Sequence, residues 1–194
     1  MTAVLRVDTG GTITLDLARW RADPDHHESM LLDRVLDPVL DIGCGPGRVV
    51  RALAASGRMA LGIDSAPAAA AEATRLGAPV LRRSVFSPLP GEGRWGTALL
   101  LDGNVGIGGD PVALLRRCHD LLRPGGMVVT EIAPPGTPST PMTVRVESGD
   151  ESGPWFAWAV VGVDAWADLA QEAGLCSAGF ECVGQRWFGE AVRP

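Results

Sequence analysis

Short apolar runs alternate with amphipathic stretches over most of the chain. Apolar runs of this kind, bounded by turn residues, predict buried strands, and the amphipathic stretches between them predict helices. The predicted strands are Val39–Ile42, Ala60–Asp64, Val80–Leu81, Trp95–Leu101 and Met127–Glu131. The predicted helices follow at Arg48–Leu53, Pro67–Leu76 and Val112–Leu122. Strands that alternate with helices in this way favour a doubly wound α/β fold with a mostly parallel sheet.

Two segments depart from this alternation. Residues 1–37 read as a hairpin around Asp8–Gly11, followed by a helix that begins near Asp25 and ends before Pro38. Residues 133–163 read as a proline-rich loop and a second hairpin. We therefore expect one domain over residues 1–194, with residues 1–37 as an N-terminal cover segment and residues 133–163 as an insert.

The end of the chain returns to the α/β pattern. Asp164 is expected to cap a helix that ends at Gly174. The segments Phe180–Val183 and Arg186–Ala191 predict two last strands that are partly antiparallel. Together with the earlier strands they predict a seven-stranded sheet whose last strand is antiparallel.

A glycine-rich turn follows the first strand of the alternating part. It reads Asp41-Ile-Gly43-Cys44-Gly45-Pro-Gly47 and leads directly into a helix. The glycines allow a sharp turn and a close approach of a ligand to the backbone, and the helix N-terminus offers free amides. A dinucleotide fingerprint, Gly-x-Gly-x-x-Gly, would need a third glycine where Arg48 stands. The ligand is therefore expected to differ from a dinucleotide.

The order acidic-x-Gly-x-Gly-x-Gly resembles motif I of the class I S-adenosylmethionine (SAM)-dependent methyltransferases, whose fold is Rossmann-like. The run Leu122-Arg-Pro-Gly-Gly126 before the fifth strand resembles a turn of the same family. The resemblance covers the chain from about Val39 to Val192. It implies a SAM cofactor, with S-adenosylhomocysteine as its product, and a methyltransferase activity.

The resemblance also implies a set of cofactor-binding residues. The acidic residue of motif I supports the ammonium group of SAM, and an acid at the end of the second strand binds the ribose hydroxyls. The third strand normally ends in Asp or Asn for the adenine, and a serine stands at that place here. The expected cofactor-binding residues are Asp41, Gly43, Cys44, Gly45, Gly47, Asp64, Ser65, Ser84, Val85, Asp102, Gly103 and Asn104.

In this family donor and acceptor meet after the fourth strand, so Asp102 and Glu131 are candidate catalytic residues, as bases or orienting groups. Asp102 could equally touch the cofactor. Aromatic and histidine side chains of the cover segment and the insert are candidates for substrate binding, although ordinary packing explains them as well. They are Trp20, His26, Trp155 and Trp158.

The composition of the chain limits the kinds of partner and cofactor that the protein is expected to bind. The formal net charge is −6 and there is no lysine, which argues against nucleic acid as a partner and excludes a lysine base. The block Asn-Pro-Pro-Tyr that grips amino groups in DNA methyltransferases is absent from the loop after the fourth strand. The four cysteines lack metal-ligand spacing, and the longest apolar run is too short to cross a bilayer. We expect a cytoplasmic protein of bacterial type, without a metal or a membrane partner.

The sequence thus favours a methyltransferase that acts on a small-molecule acceptor, as a monomer or a homodimer. An alternative keeps SAM but uses the fold for a non-methylating reaction such as cyclisation, or as a binding module. A nicotinamide-dependent reductase is disfavoured, because the chain contains neither tyrosine nor lysine for a proton relay.

Overall fold

The computed structural model describes residues 3–194, so the first two residues of the cover segment lie outside the described part. The strands are β1 (Ala3–Val7), β2 (Thr12–Leu15), β3 (Val39–Ile42), β4 (Ala60–Asp64), β5 (Val80–Arg82), β6 (Trp95–Leu100), β7 (Leu122–Ile132), β8 (Thr140–Ser148), β9 (Glu151–Ser152), β10 (Phe156–Val160), β11 (Cys176–Val183) and β12 (Arg186–Val192). The helices are α1 (Leu17–Arg21), α2 (His26–Leu32), α3 (Arg48–Ala55), α4 (Pro67–Arg75), α5 (Pro111–Leu121) and α6 (Trp166–Glu172).

A seven-stranded sheet in the order β11-β12-β7-β6-β3-β4-β5 forms the centre of the fold. The five strands from β7 to β5 are parallel, and β12 pairs antiparallel with β7 and with β11. Because the carboxyl ends of parallel strands meet at one edge, Asp41, Asp64, Asp102 and Glu131 are brought to the same side of the molecule. This arrangement confirms the predicted Rossmann-like sheet with an antiparallel last strand.

Both faces of this sheet are covered, as the continuous apolar runs of its inner strands require. On one face, Leu40 and Leu100 pack with Leu114 of α5 and Trp166 of α6. On the other, Val39 and Leu99 pack with residues of α2 and α3, including Leu31, Val49 and Leu53. Neighbouring residues of a strand thus enter opposite cores, and every residue of β6 is buried.

A second, antiparallel sheet joins the two segments that depart from the α/β alternation. Its order is β10-β8-β1-β2, with β9 paired to β8, so strands of residues 1–37 and of residues 133–163 hydrogen-bond to each other. The hairpin of β1 and β2 is confirmed, with Leu5 opposite Ile13. The pairing of β1 with β8, in which Leu5 lies opposite Val146, was not predicted from the sequence. We call this second sheet the cover sheet.

The cover sheet packs against the loop that follows β6, where glycines permit very close backbone contact. A Cβ atom on Gly106 would lie 2.0 Å from the carbonyl oxygen of Ala159 in β10. A Cβ atom on Gly109 would lie 3.0 Å from the Cβ atom of Ala157. The glycines of this loop therefore seat β10 on the edge of the central sheet.

Several local predictions need correction. The helix of the cover segment ends at Leu32, earlier than predicted, and the short helix α1 was not predicted. Asp164 does not cap α6, whose N-cap is Ala165. The Asp164 carboxylate instead accepts a hydrogen bond from the Gly136 amide at 2.7 Å, so it fixes the proline-rich loop rather than the helix. The predicted cap of α5 is confirmed, since Asp110 accepts a hydrogen bond from the Ala113 amide.

Candidate functional site

The glycine-rich loop after β3 is closed on one side and open on the other. A Cβ atom on Gly43 would lie 2.6 Å from the side-chain Nδ2 of Asn104, and a Cβ atom on Gly47 would lie 2.7 Å from the Cβ atom of Ala78. Gly45 has a φ of +54° and no atom within 4 Å of the position of a Cβ atom. The side chain of Cys44 is buried against Gly62 of β4. Only the backbone of this residue is therefore left to face a ligand.

Asp64, at the end of β4, is tied to this loop. Its carboxylate accepts one hydrogen bond from the Gly45 amide at 2.9 Å and another from the Ala66 amide at 2.8 Å. Ser65 beside it is exposed. The acid at the end of the second parallel strand and the open glycine of the loop thus lie in contact, as the sequence predicts for one cofactor site.

The chain after β5 carries the residues expected near the adenine. The Ser84 hydroxyl accepts a hydrogen bond from the Phe86 amide at 3.3 Å, and the Val85 carbonyl accepts one from Arg117. Val85 is buried, whereas the Phe86 side chain is half exposed and would touch a Cβ atom on Gly108. Phe86 therefore packs over the loop after β6 and is not a core residue.

Asp41 is almost completely buried within β3, next to the loop. Burial raises the pKa of its carboxyl group to about 7, although the nearby Arg48 guanidinium acts in the opposite direction. The charges of Asp102, Asp64 and Glu28 raise it further. The acidic residue of motif I therefore changes its charge near neutral pH.

A cavity of about 320 Å³ lies between the cover sheet and the carboxyl edge of the central sheet. Most of its wall is apolar, with Arg19 and three carboxylates as its charged groups. It is lined by Leu5, Ile13, Thr14, Leu15, Asp16, Arg19, Trp20, Asp102, Gly103, Val105, Glu131, Ile132, Ala133, Trp158, Ala159, Val160 and Val161. This size is at the lower end of small-molecule pockets. Both segments that were expected to cover the site contribute to its wall.

Two of the four predicted substrate-binding side chains line this cavity and two do not. Trp20 and Trp158 belong to its wall. His26 is exposed at the start of α2, outside the cavity. Trp155 lies next to β10 with 44% of its surface exposed, and the Arg145 guanidinium stacks on its ring at 4.8 Å. Trp155 is not among the residues that line the cavity, so the structure does not bring it to the site.

Asp102 occupies a strained position at the mouth of the cavity. Its φ is +55°, and it is the one residue other than glycine with a positive φ within residues 3–194. Its amide donates a hydrogen bond to Glu131 Oε2 at 2.8 Å, and its Oδ2 accepts one from Arg48 at 3.1 Å. Strained residues of this kind persist where surrounding contacts hold them, often at functional sites.

Glu131 is held more tightly than Asp102. The Arg186 guanidinium donates two hydrogen bonds to its carboxylate, at 2.7 and 2.6 Å. Burial alone would raise the pKa of Glu131, but the bidentate contact with Arg186 outweighs it and lowers the pKa below its ordinary value. Glu131 is therefore a weak base in this environment, and its contacts suit an orienting role.

Both carboxylates belong to a larger network, which we call the arginine–carboxylate cluster. It comprises three arginines and three acids: Arg19, Glu28, Arg48, Asp102, Glu131 and Arg186. Arg19, Glu28 and Arg186 were not predicted from the sequence, and Arg48 was interpreted only as a missing glycine. One signal was available, since Asp25 and Glu28 have the spacing of a capping box. The convergence of the arginines on Glu28 has no signal in the sequence.

Two further properties concern the whole described chain. Among residues 3–194, no group of three or more His, Cys, Asp or Glu side chains is placed to hold a metal ion. No helix in that range combines the length and the apolar character needed to cross a membrane.

Comparison with known sequences identifies a family. The sequence model of a family described as "Methyltransferase domain" matches residues 18–177. Ubiquinone biosynthesis O-methyltransferase of Pseudomonas aeruginosa is 37% identical to the chain over an alignment of 99 residues, and the match covers 46% of this chain and 41% of that protein. The corresponding protein of Dinoroseobacter shibae is 33% identical over an alignment of 96 residues, and the match covers 47% of this chain and 39% of that protein. The chain thus matches less than half the length of these curated relatives.

Solved structures share the fold at low sequence identity. A SAM-dependent methyltransferase from Bacteroides fragilis, in complex with S-adenosyl-L-homocysteine, has a TM-score of 0.82. The two are 18% identical, and the match covers 100% of this chain and 89% of the other. A 1,6-didemethyltoxoflavin-N1-methyltransferase from Burkholderia thailandensis has a TM-score of 0.62 at 23% identity, covering 92% of this chain and 79% of the other.

The family match extends over most of the chain, and the fold of these solved structures agrees with the strand order described above. This chain belongs to the class I SAM-dependent methyltransferase family.

Proposed function

We propose that the protein transfers a methyl group from SAM to a small-molecule acceptor held in the cavity beneath the cover sheet. The observation that carries the proposal is that residues 102–104 contact both the glycine-rich loop after β3, which we call the cofactor loop, and the cavity. The side-chain Nδ2 of Asn104 donates hydrogen bonds to the backbone carbonyls of Ile42 and Gly43, both at 2.9 Å. Asp102 and Gly103, which precede it, line the cavity. One short segment thus separates the two binding regions.

The residues at the loop fit SAM. Gly45 and Gly103 have no atom within 4 Å of where a Cβ atom would stand, so the backbone is accessible at both positions. The Asp64 carboxylate suits the two ribose hydroxyls, and the buried Asp41 suits the ammonium group of the methionine part. A solved structure of the same fold contains S-adenosyl-L-homocysteine, which supports this assignment.

The cavity suits a small and partly apolar acceptor. Its aliphatic wall and the rings of Trp20 and Trp158 favour a flat molecule, and its volume of about 320 Å³ limits the size. A curated relative is named for ubiquinone biosynthesis, and a solved structure of the same fold contains the small molecule 1,6-didemethyltoxoflavin, which supports a small-molecule acceptor. The net charge of −6 disfavours a nucleic-acid acceptor.

SAM supplies a methyl carbon on a positively charged sulfur, and an acceptor lone pair takes this carbon while the sulfur keeps the electrons of the broken bond. The chain contributes orientation and the exclusion of water. We assign Asp102 to the acceptor, because it lines the cavity and its carboxylate is held in place by Arg48 at Oδ2 and by Arg19 at Oδ1. An acceptor hydroxyl or N–H group would donate its hydrogen bond, and finally its proton, to Asp102. Glu131 holds the Asp102 amide in place.

Isothermal titration calorimetry with SAM and with S-adenosylhomocysteine tests the cofactor assignment. The wild-type protein is expected to bind both with micromolar affinity. Asp64→Ala removes the acceptor of the ribose hydrogen bonds and should weaken binding by about 1–3 kcal/mol. Asp150→Ala, at an exposed turn of the cover sheet, is the matched control and should leave the affinity unchanged. Absence of binding by the wild type would refute the proposal.

Methyl transfer itself requires an acceptor. Incubation of the protein with SAM and a panel of hydroxylated and N–H heteroaromatic compounds, followed by mass spectrometry, should give a product 14 Da heavier than its acceptor, about the mass of one CH₂ unit. The same reaction should yield S-adenosylhomocysteine. Cofactor binding without a methylated product from any such panel would favour the use of the fold as a SAM-binding module.

A further inference from the structure

One buried carboxylate lies at the centre of the arginine–carboxylate cluster. The side chain of Glu28 in α2 is 1% exposed, and it contacts three guanidinium groups. Its Oε1 accepts a hydrogen bond from Arg19 at 3.0 Å, and its Oε2 accepts one from Arg48 at 2.5 Å. The Nη1 of Arg186 lies 2.9 Å from Oε1, without the alignment of a hydrogen bond. Glu28 therefore joins α1, α3 and β12 through one side chain.

Each of these arginines also reaches a carboxylate that lines the cavity. Arg48 donates a hydrogen bond to Asp102 Oδ2 at 3.1 Å, and the Nη2 of Arg19 lies 3.2 Å from Asp102 Oδ1. Arg186 holds Glu131 by two hydrogen bonds. The cluster thus has two layers, with Glu28 behind the arginines and Asp102 and Glu131 in front of them.

The formal charges of the cluster sum to zero, with three arginines and three acids. Burial opposes the ionisation of Glu28, but the hydrogen bonds from Arg48 and Arg19 outweigh it and lower the pKa of this carboxyl group to about 2. The surrounding acids raise the pKa values of Arg48 and Arg186. Glu28, Arg48 and Arg186 are therefore ionised at neutral pH. Without the charge of Glu28 it would carry one net positive charge.

This charge would lie next to the cofactor loop. Arg48 is the first residue of α3 and directly follows Gly47 of the loop. Arg48 also donates a hydrogen bond to Asp102, two residues before Asn104. The side-chain Nδ2 of Asn104 in turn donates a hydrogen bond to the Gly43 carbonyl of the loop. Buried charges at such a place act strongly on a ligand, because little water screens them.

We propose that Glu28 is a positioning residue with two effects, which rest on the proposed function. It holds Arg19 and Arg48 against Asp102, and its charge makes the site favour the sulfonium cofactor over the neutral thioether product. SAM carries one positive charge more than S-adenosylhomocysteine. A cluster of zero net charge accepts this extra charge, whereas a cluster with a net charge of +1 repels it. Glu28 therefore promotes the exchange of product for fresh cofactor.

The test compares the affinities of two ligands in one variant. Glu28→Gln keeps the size of the side chain and removes its charge. Calorimetry should show that the dissociation constant of SAM rises by about tenfold more than that of S-adenosylhomocysteine, as an added unit charge at short range in a partly buried site requires. A purely structural defect would weaken both ligands equally. This ratio of the two dissociation constants is the decisive quantity.

Glu147→Gln is the matched control. Glu147 also contacts two arginines, Arg6 at 3.1 Å and Arg145 at 2.6 Å, but it lies on the cover sheet outside the cluster. This variant should leave the ratio unchanged.

A charge-compensating variant provides an independent check. The double variant Glu28→Gln/Arg19→Gln restores a net charge of zero and should return the ratio of the dissociation constants towards the wild-type value. If Glu28→Gln does not fold, as judged by circular dichroism, Arg19→Gln alone is measured. It leaves a net charge of −1 and should shift the ratio in favour of SAM.

An unchanged ratio in folded Glu28→Gln, or in Arg19→Gln where that variant replaces it, would overturn the inference. A double variant that keeps the ratio of the single variant would overturn it as well. These results differ from a failure of the proposed function, in which the wild-type protein itself binds neither SAM nor S-adenosylhomocysteine.

Discussion

The cofactor edge and the cover sheet are built in opposite ways. At the cofactor edge, the loop after β3, the acid after β4 and the residues after β6 belong to successive strand–helix units of one parallel sheet. The cover sheet instead pairs β1 with β8, so that Leu5 lies opposite Val146, more than half the chain away. One region is made of repeated local units, and the other requires two distant segments to meet.

The arginine–carboxylate cluster connects the cofactor edge to the cover segment, residues 1–37, which also supplies β1 and β2 of the cover sheet. Arg19 and Glu28 come from the cover segment, whereas Arg48 and Asp102 come from the cofactor edge. Removing one partner from a buried ion pair leaves an uncompensated charge and is costly. The cofactor edge therefore depends on the N-terminal segment through these ion pairs, although the contact between its glycine loop and Asp64 does not involve that segment.

The largest expected effect comes from adding a methyl group at Gly106, where the loop after β6 contacts β10 of the cover sheet. In Gly106→Ala the new Cβ atom would lie 2.0 Å from the Ala159 carbonyl oxygen, so β10 would have to move. We expect a loss of about 4 kcal/mol in the free energy of unfolding and a fall of about 10 °C in melting temperature.

Gly153→Ala is the control for this substitution. Gly153 directly follows β9 of the cover sheet, and its Cβ atom would meet only the Val146 carbonyl at an ordinary 3.6 Å. Differential scanning calorimetry compares the two variants. Equal melting temperatures would show that β10 is not seated on the loop after β6.

A smaller effect is expected from the buried acid of the cofactor edge. The pKa of Asp41 is about 7 in the folded chain and 3.8 for an unperturbed carboxyl group. Between these values the folded state holds a proton that the unfolded state has released, so Asp41 lowers stability as the pH rises to 7. We therefore compare the free energy of unfolding of Asp41→Asn with that of the wild type at each pH. The difference in favour of the variant should be about 2 kcal/mol larger at pH 8 than at pH 5.5.

Urea unfolding at the two pH values measures this difference. Asp150→Asn removes an exposed carboxylate and serves as the control, with no expected pH-dependent change. A pH-independent difference between Asp41→Asn and the wild type would contradict the raised pKa. Arg48 would then balance burial in the folded chain.

The smallest effect on cofactor affinity is expected from a substitution in the wall of the acceptor cavity. Trp158 packs edge-to-face on Phe156, with ring centroids 6.1 Å apart, and it lines the cavity. Trp158→Ala should abolish methyl transfer to an acceptor while the affinity for S-adenosylhomocysteine stays within about twofold of the wild type.

Calorimetry and a turnover assay on the same preparation check this separation. Trp155→Ala is the matched control, because its ring stacks on Arg145 away from the cavity. A fall of several degrees in the melting temperature of Trp158→Ala, with a parallel loss of cofactor binding, would show that Trp158 stabilises the whole fold.

The sequence by itself determined the central sheet and the cofactor loop. Short apolar runs fix buried parallel strands, and glycine spacing fixes the turn after Val39–Ile42, because both depend on residues that are neighbours in the chain. Asp64 and Asp102 were found for the same reason, since the carboxyl ends of parallel strands must meet at one edge. Local signals also predicted both hairpins that later form the cover sheet.

Only the tertiary structure decided how these hairpins combine and which charges meet. The pairing of β1 with β8 depends on contacts between segments far apart in sequence, and alternation within a strand does not name its partner. Trp20 of α1 lines the cavity while Trp155 stacks on Arg145 outside it, and no local pattern in the sequence distinguishes these two positions. Glu28 was not predicted, and its capping-box spacing with Asp25 would have indicated a helix start but not the distant arginines that it contacts. The three arginines that surround it come together only when α1, α3 and β12 have packed.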